Sequence, residues 1–340
     1  MRRTDSPPDL GPIHKILIIQ FRPFGDVLLA TAYLEALHKR FPGASIDFLV
    51  KKPFDAILNK NPWISQVIAF REHSGIRYIT ERIKLFGLIR RRRYDLLIDQ
   101  QSGTGSGQVV LFSQAMYRLG WAASKWRWAY NLRAKKGPVR YRASQNFDML
   151  TPLGIREESH GLFYHVRAES QLYAREWMKA QRLSAATTII ISPGSPRKKK
   201  KWRANNYAAL ADRIHRETPM QVVLLWGPKE YADAQAVVQN AKHKPILAPA
   251  TSFNQGAAML QQCRLLVCND GGINHLSVAL DIPSLAIFGN TPPEKWSPQG
   301  FFPSHYHLYN PTRENDSENH FGISPQDAFD KVVKILSELP

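Results

Sequence analysis

The sequence predicts an α/β protein with two doubly wound domains. Short runs of Ile, Leu and Val alternate with stretches of helical periodicity along most of the 340 residues. The runs are continuously apolar, as expected for parallel strands that are buried on both faces of a sheet. Because the alternation is found in both halves of the chain, we expect each half to form its own sheet with helices on its faces.

Eight apolar runs carry the strand predictions. In chain order they are KILIIQ, SIDFLV, QVIAF and YDLLID in the first half, then TTIIIS, MQVVLLW, RLLVCN and SLAIFG in the second. After the first run, an apolar stripe predicts one helix over residues 27–41, and NNYAALADRIHRE and NQGAAMLQQC show the same spacing. Ser324 and Pro325 form a start signal for the last predicted helix.

The chain is longer than a usual single domain, so a boundary is expected between the runs LFYHV and TTIIIS. The predicted division is an N-terminal domain at residues 1–166, a C-terminal domain at 167–320 and a terminal helix segment at 321–340. With 44% hydrophobic and 22% charged residues, the composition is that of a folded globular protein and excludes the disordered and fibrous classes.

Location and redox state are predicted from two further observations. No apolar run approaches the roughly 20 residues of a transmembrane helix, and the N-terminal residues lack the apolar region of a secretory signal. We therefore expect a cytoplasmic protein whose contacts with membranes are peripheral. Cys263 and Cys268 flank a predicted strand without a nearby histidine pair, so we expect buried, reduced thiols and no zinc site.

The net charge of +18 is unevenly distributed. Residues 71–142 contain 16 basic and 4 acidic side chains, and the end of this segment, Trp121–Arg142, interleaves three tryptophans with its cations. Such a segment suits an anionic partner, either a membrane interface or a nucleic acid. A solvated basic surface without a partner is an equal alternative.

Ligands of open α/β sheets bind beyond the carboxyl ends of the strands, so loops after strands are candidate sites. The first such loop runs into a helix, with Gly25 allowing a tight turn and Asp26 at the N-cap or in the first turn. Asp26 has two open interpretations. It stabilises the positive end of the helix dipole, or it takes a proton from a sugar or alcohol hydroxyl.

Two loops in the second half of the chain are candidate binding sites for phosphate and ribose groups. Ser192, Gly194 and Ser195 precede four lysines, and their amides and hydroxyls could cradle phosphate oxygens. Glu230 follows the strand MQVVLLW, where a carboxylate can accept from both hydroxyls of a ribose. It is equally well interpreted as a favourable first-turn charge.

The last loop, after RLLVCN, combines a carboxylate with bare backbone amides. Asp270 is followed by Gly271 and Gly272 and then by a helix, which gives the free N–H groups needed to hold a diphosphate. His275 lies one turn into that helix. Nothing in the sequence pairs it with a nucleophile, so a packed or hydrogen-bonding role is favoured over a catalytic one.

Four motifs in this order resemble glycosyltransferase family 9, the ADP-heptose:lipopolysaccharide heptosyltransferases. They are FGDVLLATAYLEAL, KKKW, WGPKE and NDGGINHLSVAL with PSLAIFGNTPPEKWSP. The most specific are the Asp-x-Gly-x-x-His-Leu pattern at Asp270–Leu276 and the Phe-Gly-x-Thr-x-Pro pattern at Phe288–Pro293. The resemblance spans nearly the whole chain and implies the GT-B fold, two Rossmann-like domains facing across a cleft. The first would bind the acceptor and the second the nucleotide-sugar.

The resemblance also implies roles for individual residues. Asp26 would be the general base, Lys200 would stand beside the donor diphosphate, and Glu230 would bind the ribose. We assign Arg22 and Gln101 to the acceptor. The remaining donor-site residues are Ser192, Gly194, Ser195, Asp270, Gly271, Gly272 and His275. The neighbouring lysines leave open which of Lys199, Lys200 and Lys201 faces the ligand. The family often has Thr or Ser where Gly271 stands, so one hydroxyl contact to phosphate is expected to be missing.

The implied reaction is an inverting transfer without metal or cofactor, from an ADP-linked sugar, most often heptose, to a lipopolysaccharide core. The expected partners are the nucleotide-sugar, an anionic glycolipid and the inner face of the cytoplasmic membrane, contacted through residues 71–142. Nucleic acid is not expected. Two alternatives are another GT-B sugar-nucleotide enzyme of the epimerase type and a basic nucleic-acid-binding protein, although no known nucleic-acid-binding motif is visible.

Overall fold

The structure is a computed structural model and describes residues 10–156, 161–312 and 321–339. Residues 1–9, which bear on the expected absence of a secretory signal, lie outside the described residues. The chain divides into two compact units, Met1–His165 and Val166–Pro340. Each unit is built around its own parallel sheet.

The first unit contains a six-stranded sheet in the order β3-β2-β1-β4-β5-β6, with all neighbouring strands parallel. Its strands are β1 (Lys15–Gln20), β2 (Ser45–Lys51), β3 (Gln66–Phe70), β4 (Leu96–Asp99), β5 (Tyr117–Trp121) and β6 (Leu132–Ala134). Its helices are α1 (Phe24–Leu29), α2 (Leu34–Arg40), α3 (Gly75–Arg92), α4 (Thr104–Ser113) and α5 (Arg142–Asn146). This is the strand order of the Rossmann fold, which reverses direction between β1 and β4.

The helix predicted over residues 27–41 is divided. Between α1 and α2, the turn Ala30–Tyr33 is a 3₁₀ helix. Two backbone carbonyls at this break accept hydrogen bonds from side chains. Thr31 Oγ1 donates to the carbonyl of Leu28 (2.7 Å), and Asn146 Nδ2 donates to the carbonyl of Leu29 (2.9 Å). Such bonds compete with the backbone ladder and favour a change of helix geometry. The predicted apolar stripe is buried in spite of the break, at Val27, Leu28, Ala30, Leu34 and Leu37.

The second unit repeats the architecture with the order β12-β11-β10-β7-β8-β9, again all parallel. Its strands are β7 (Thr188–Ser192), β8 (Gln221–Leu224), β9 (Ile246–Leu247), β10 (Leu265–Asn269), β11 (Ser284–Phe288) and β12 (His305–Tyr309). Its helices are α6 (Ala168–Ala180), α7 (Ala204–Glu217), α8 (Tyr231–Asn240), α9 (Phe253–Leu260), α10 (Gly272–Ala279) and α11 (Pro325–Glu338). Here the order reverses between β7 and β10.

All eight predicted strands are present, whereas β5, β6, β9 and β12 were not predicted. The predicted start of the last helix is confirmed, since the Ser324 hydroxyl accepts from the backbone N–H of Asp327 (3.1 Å). Cys263 and Cys268 are buried free thiols, as predicted, and burial raises the pKa of Cys263 to about 12. Within the described residues, no helix is both long and apolar enough to span a bilayer.

Candidate active site

In the first unit, the carboxyl ends of β1 and β4 lie side by side at the point where the strand order reverses. Ligands of doubly wound sheets bind at this point, because the loops from the two strands leave in opposite directions. The two loops are tied together by the backbone N–H of Phe21, which donates to Oε1 of Gln101 (3.0 Å). Gln101 therefore orders this edge of the sheet through its amide oxygen.

Asp26 lies in the first turn of α1, directly beyond β1. The N-cap position is occupied by Pro23 and has no side-chain cap, so Asp26 does not serve as the N-cap residue. The side chain of Asp26 is 18% exposed, and Oδ1 lies 3.8 Å from the guanidinium of Arg22, whose side chain is 49% exposed. The carboxylate is therefore close to the strand end and partly accessible, as a proton acceptor requires.

Arg22 and Arg142 lie near this carboxylate, and Lys136 lies near both arginines. Burial lowers the pKa of the Arg142 guanidinium, the negative charge of Asp26 opposes that shift, and the charge of Arg22 adds to it. Burial also lowers the pKa of Lys136, with further contributions from Arg142 and Arg22. Asp26 and Asp148 both act on Arg142, so Arg22, Lys136 and Arg142 exceed these two carboxylates by one positive charge, which suits an anionic ligand.

Buried amides fix the position of α1 and were not predicted from the sequence. Asn146 donates to the carbonyl of Leu29, the last residue of α1, and accepts from Nε2 of Gln100 (2.7 Å). The carbonyl of Gln100 accepts in turn from the indole N–H of Trp121 (3.0 Å). These side chains are polar residues far apart in the chain, so no local pattern could have joined them.

Asp99, at the end of β4, is a second residue that the sequence did not single out. It is fully buried and accepts from the backbone N–H of Ser102 (2.7 Å) and the hydroxyl of Tyr130 (2.7 Å). Burial raises the pKa of Asp99 to about 6, against the lowering effect of these hydrogen bonds. Its role is to hold the loop after β4, which carries Gln101.

In the second unit, the reversal point lies between β7 and β10, and an ion pair joins the two following loops. The ammonium of Lys200 is bonded to Oδ2 of Asp270. Both side chains are mostly buried, with exposed fractions of 16% and 4%. The pair places one positive group beside the start of α10.

The four neighbouring lysines have different environments. Lys198 and Lys199 are exposed. Lys201 contacts both carboxylate oxygens of Asp233, at 2.7 and 2.6 Å. Only Lys200 of these four contacts Asp270 in the described structure, so it is the lysine at the reversal point.

The start of α10 presents backbone amides at the same place. Gly271 is the N-cap residue, in an extended conformation, and Gly272 begins the helix. His275 is buried one turn later, and burial, with smaller contributions from Lys200 and His305, lowers its pKa to about 3. The imidazole is therefore neutral near pH 7, which favours hydrogen bonding over the role of a cation.

Trp296, which the sequence analysis did not assign to the site, lies over this group. Its ring centre is 5.9 Å from Nζ of Lys200 and 6.3 Å from the ring centre of His275. The residue belongs to the PPEKWSP segment of the resemblance, so the signal was present in the motif. Lys200, His275 and Trp296 thus come from three separate loops or helices and meet beside Asp270.

Glu230 is the N-cap residue of α8, and its Oε2 accepts from the backbone N–H of Gly227 (3.1 Å). Burial raises the pKa of Glu230, and the Gly227 N–H opposes this. The carboxyl group packs against Gly194, where an added Cβ would lie 2.5 Å from Glu230 Cδ. A side chain at position 194 would have to displace Glu230, so the loops after β7 and β8 approach each other closely here.

The predicted serines lie in the same loop, and Asn269 holds it. Ser192 and Ser195 are both buried. Asn269, at the end of β10, donates through Nδ2 to the carbonyl of Pro193 (2.7 Å) and accepts through Oδ1 from the backbone N–H of Trp202 (2.9 Å). Asn269 therefore fixes both ends of the segment that contains Lys200. Its role was missed because an asparagine at a strand end has no distinctive sequence signal.

Within the described residues, no cluster of three or more His, Cys, Asp or Glu side chains is arranged to hold a metal ion. The positive groups near Asp270 are supplied by Lys200 and by the amides of α10. Those are the groups with which a protein commonly binds a diphosphate.

Comparison with known proteins shows the family of the chain. The sequence profile of glycosyltransferase family 9 (heptosyltransferase) matches residues 82–319. Lipopolysaccharide heptosyltransferase 3 of Escherichia coli is 24% identical over an alignment 340 positions long. The alignment covers 93% of this chain and 96% of that protein.

Two solved structures share the fold over nearly the whole chain. A glycosyltransferase family 9 protein from Veillonella parvula DSM 2008 aligns with a TM-score of 0.85 at 21% identity and covers 97% of this chain and 100% of its own. The ADP-heptose lipopolysaccharide heptosyltransferase II of E. coli aligns with a TM-score of 0.77 at 22% identity, covering 95% and 99%. These similarities confirm the predicted GT-B fold. With the profile match over more than half of its length, the chain belongs to glycosyltransferase family 9 and is a glycosyltransferase.

Proposed function

We propose that this enzyme transfers a heptose from ADP-heptose to a lipopolysaccharide core or a related glycan. The relative from E. coli is a lipopolysaccharide heptosyltransferase, and one structural neighbour is named for ADP-heptose. The observation that carries the proposal is the Lys200–Asp270 pair at the start of α10, because it sets a cation beside free helix amides at the reversal point of the second sheet.

In this proposal, the predicted C-terminal domain, at residues 167–320 within the second unit, binds the donor. Lys200 and the amides at Gly271 and Gly272 would contact the diphosphate. Glu230 would accept from the ribose hydroxyls. Around the diphosphate, the further ligands would be Ser192, Gly194, Ser195, Asp270 and His275. The neutral state of His275 suits it to a hydrogen bond with a sugar hydroxyl.

The predicted N-terminal domain, at residues 1–166, would bind the acceptor near Asp26. Arg22 would contact the anionic groups of the glycolipid core, and Gln101 would donate to a sugar oxygen through its amide. The positive excess formed by Arg22, Lys136 and Arg142 supports an acceptor that carries phosphate or carboxylate groups.

The proposed reaction inverts the anomeric carbon. The acceptor oxygen forms a bond to that carbon on the face opposite the diphosphate, its proton passes to Asp26, and the bond to the diphosphate oxygen breaks. ADP leaves with the bonding electron pair. Lys200 and the α10 amides stabilise the charge that develops on ADP, so the protein itself supplies the positive charge that a metal ion would otherwise bring. A positioned base typically contributes about 10²–10⁴-fold to such a rate.

The enzyme would then work in the cytoplasm at the inner face of the cytoplasmic membrane, where a lipid-anchored acceptor is available. It would need no cofactor beyond its nucleotide-sugar substrate and no nucleic acid. The family assignment favours this transferase over the epimerase and nucleic-acid alternatives, since the matching profile is that of a glycosyltransferase family.

The proposal is tested by measuring nucleotide selectivity together with transfer. Calorimetry with ADP, UDP, GDP and dTDP should show selective binding of ADP. ADP-heptose should be consumed only when a truncated lipopolysaccharide acceptor is added. Selective binding of another nucleotide, or release of nucleotide without acceptor at the same rate, would contradict the heptosyltransferase proposal.

A further inference from the structure

Helix α3 has an apolar stripe that faces solvent. Ile76, Ile79 and Ile83 are 82%, 56% and 62% exposed, and their spacing of three and four residues places them on one side of the helix. The face that packs into the unit carries Leu85 and Ile89, which are buried. Single exposed apolar residues are ordinary, but a row of isoleucines on one helix indicates a surface with a partner.

The stripe continues toward α4. Phe86, which lies three residues beyond Ile83, stacks on Phe112 of α4 with ring centres 4.7 Å apart. Phe112 and its neighbour Leu111 are both substantially exposed, at 48% and 45%. We call the residues Ile76, Ile79, Ile83, Leu111 and Phe112 the α3–α4 surface.

An aromatic pair extends the apolar region at the start of α4. Trp126 packs against Gly107, where a Cβ would lie 2.6 Å from the indole ring, and its N–H donates to Thr104 Oγ1 (3.3 Å). Trp128 stacks on Trp126 at 5.3 Å and is 60% exposed. Trp121 does not take part, because it is buried. Exposed tryptophan is the residue type favoured at bilayer interfaces.

Cations run beside the isoleucines. Arg77, Lys84 and Arg91 are exposed and follow each other at seven-residue spacing, so they form a second stripe along α3. Arg90, also exposed, continues the line of Ile76 and Ile83 by the same spacing. The only acidic residue of α3 is Glu81, which is bonded to Lys84 (2.9 Å).

Two arginines of the segment have structural roles and do not belong to this stripe. Arg82 is buried, with bonds to the Gly105 carbonyl and to Gln108 Oε1. Arg92 is bonded to Asp47 (2.8 Å). The free cationic surface of α3 is therefore smaller than the sequence indicates, and it lies next to the isoleucines.

We propose that the α3–α4 surface docks onto an anionic phospholipid bilayer. The isoleucines and exposed aromatic rings enter the interface, and Arg77, Lys84, Arg90 and Arg91 contact headgroup phosphates. An apolar stripe bordered by cations is the pattern of helices that lie in the plane of a membrane. A second copy of the chain fits less well, because a two-fold contact would bring the two cationic stripes together. The inference rests on the proposed function, since a lipid-anchored acceptor brings the enzyme to a bilayer.

The test is sedimentation with vesicles of phosphatidylcholine alone or mixed with phosphatidylglycerol. The unchanged protein should bind only the mixed vesicles, and less at high salt. The variant Ile76→Ser/Ile79→Ser/Ile83→Ser should bind at least about tenfold more weakly, because each isoleucine loses apolar burial. Arg77→Gln/Lys84→Gln/Arg91→Gln should bind more weakly and with less dependence on salt. Leu172→Ser, at a 51% exposed site on α6, is the matched control and should bind normally.

ADP binding, measured on the same variants, separates this inference from the proposed function. All surface variants should bind ADP normally, since none of the changed residues belongs to the donor site. Normal vesicle binding by the isoleucine variant would overturn the docking proposal and leave the transferase intact. A different outcome would identify the surface as a contact between two copies of the chain and would overturn the docking proposal. In that outcome, the unchanged protein forms a concentration-dependent dimer and does not bind vesicles, and the isoleucine variant no longer forms the dimer. Vesicle binding without ADP binding would contradict the proposed function alone.

Discussion

The ammonium of Lys200 is held by the carboxylate of Asp270, 70 residues later in the chain. The pair spans the loops after β7 and β10, which are neighbours only because the strand order reverses there. In the proposed donor site, a diphosphate would meet a lysine that is already oriented and partly desolvated. Preorganisation of this kind lowers the ordering cost of binding.

Replacing Lys200 by Ala should weaken ADP binding by about 10- to 100-fold, since a hydrogen bond to a charged group contributes roughly 1.5–3 kcal/mol. Calorimetry with ADP measures the effect. Lys199→Ala is the matched control, because Lys199 is exposed and should leave the affinity unchanged. Because the first variant leaves Asp270 buried without its lysine, Lys200→Arg is included to retain the charge. Equal affinities of all three variants would remove Lys200 from the donor site.

Asp26→Asn should lower kcat by about 10²–10⁴-fold with little change in the affinity for the donor, because only the proton acceptor is lost. Turnover of ADP-heptose with a saturating acceptor measures kcat. Glu35→Gln, at an exposed carboxylate of α2 that pairs with Lys39, controls for the loss of one negative charge. Activity of Asp26→Asn close to that of the control would assign the base to another group.

Gly194→Ala should reduce nucleotide affinity by displacing Glu230, because the new Cβ would lie 2.5 Å from the carboxyl carbon. In the double variant Gly194→Ala/Glu230→Gly the Cβ of residue 230, which would lie 2.7 Å from the new Cβ, is removed together with the carboxyl group, so thermal stability should recover while ADP affinity stays low. Gly256→Ala is the control, because Gly256 also lies in the second unit, in helix α9, and a Cβ added there would lie 3.4 Å from its nearest neighbour, Thr251 Oγ1. If Gly194→Ala binds ADP as well as the control, then Glu230 is not a ribose ligand.

Asp99 should make the stability depend on pH. Its folded pKa of about 6 lies above the ordinary value of 3.8, so between these values the folded state holds a proton that the unfolded state has released. The unfolding free energy of the unchanged protein, relative to Asp99→Asn, should therefore fall as pH rises from about 4 to 6 and stay level above. The full difference is about 3 kcal/mol for a shift of this size. Urea unfolding of both proteins across this range measures it, and a constant difference would contradict the raised pKa.

The central strands could be predicted because each lies between two neighbours and under helices, which requires a continuous apolar run. The missed strands have weaker patterns for physical reasons. β6, β9 and β12 are edge strands with a neighbour on one side only, and β9 has two residues. β5 is YRLGW, whose first residues are only partly buried, so its sequence lacks the apolar run.

For the site, the sequence indicates which loops carry chemistry but not which of them meet. Asp26, Glu230 and Asp270 follow predicted strands, and the structure places Asp270 directly after β10, Glu230 at the N-cap of α8 and Asp26 in the first turn of α1. The meeting of Lys200 with Asp270 depends on strand order, which no local pattern contains. Asn269 and Asn146 position neighbouring segments through hydrogen bonds to backbone carbonyls that are distant in the chain. Such roles cannot be predicted from a single sequence, because no local pattern indicates the partner.

Each sheet is assembled from consecutive chain, with β1–β6 between residues 15 and 134 and β7–β12 between residues 188 and 309. Among the described residues, no strand of either sheet comes from the other half of the chain. During synthesis, the first sheet therefore has all of its strands before the ribosome has made the first strand of the second. The nascent chain can bury its first set of apolar strands early, which shortens the time during which they are exposed to aggregation.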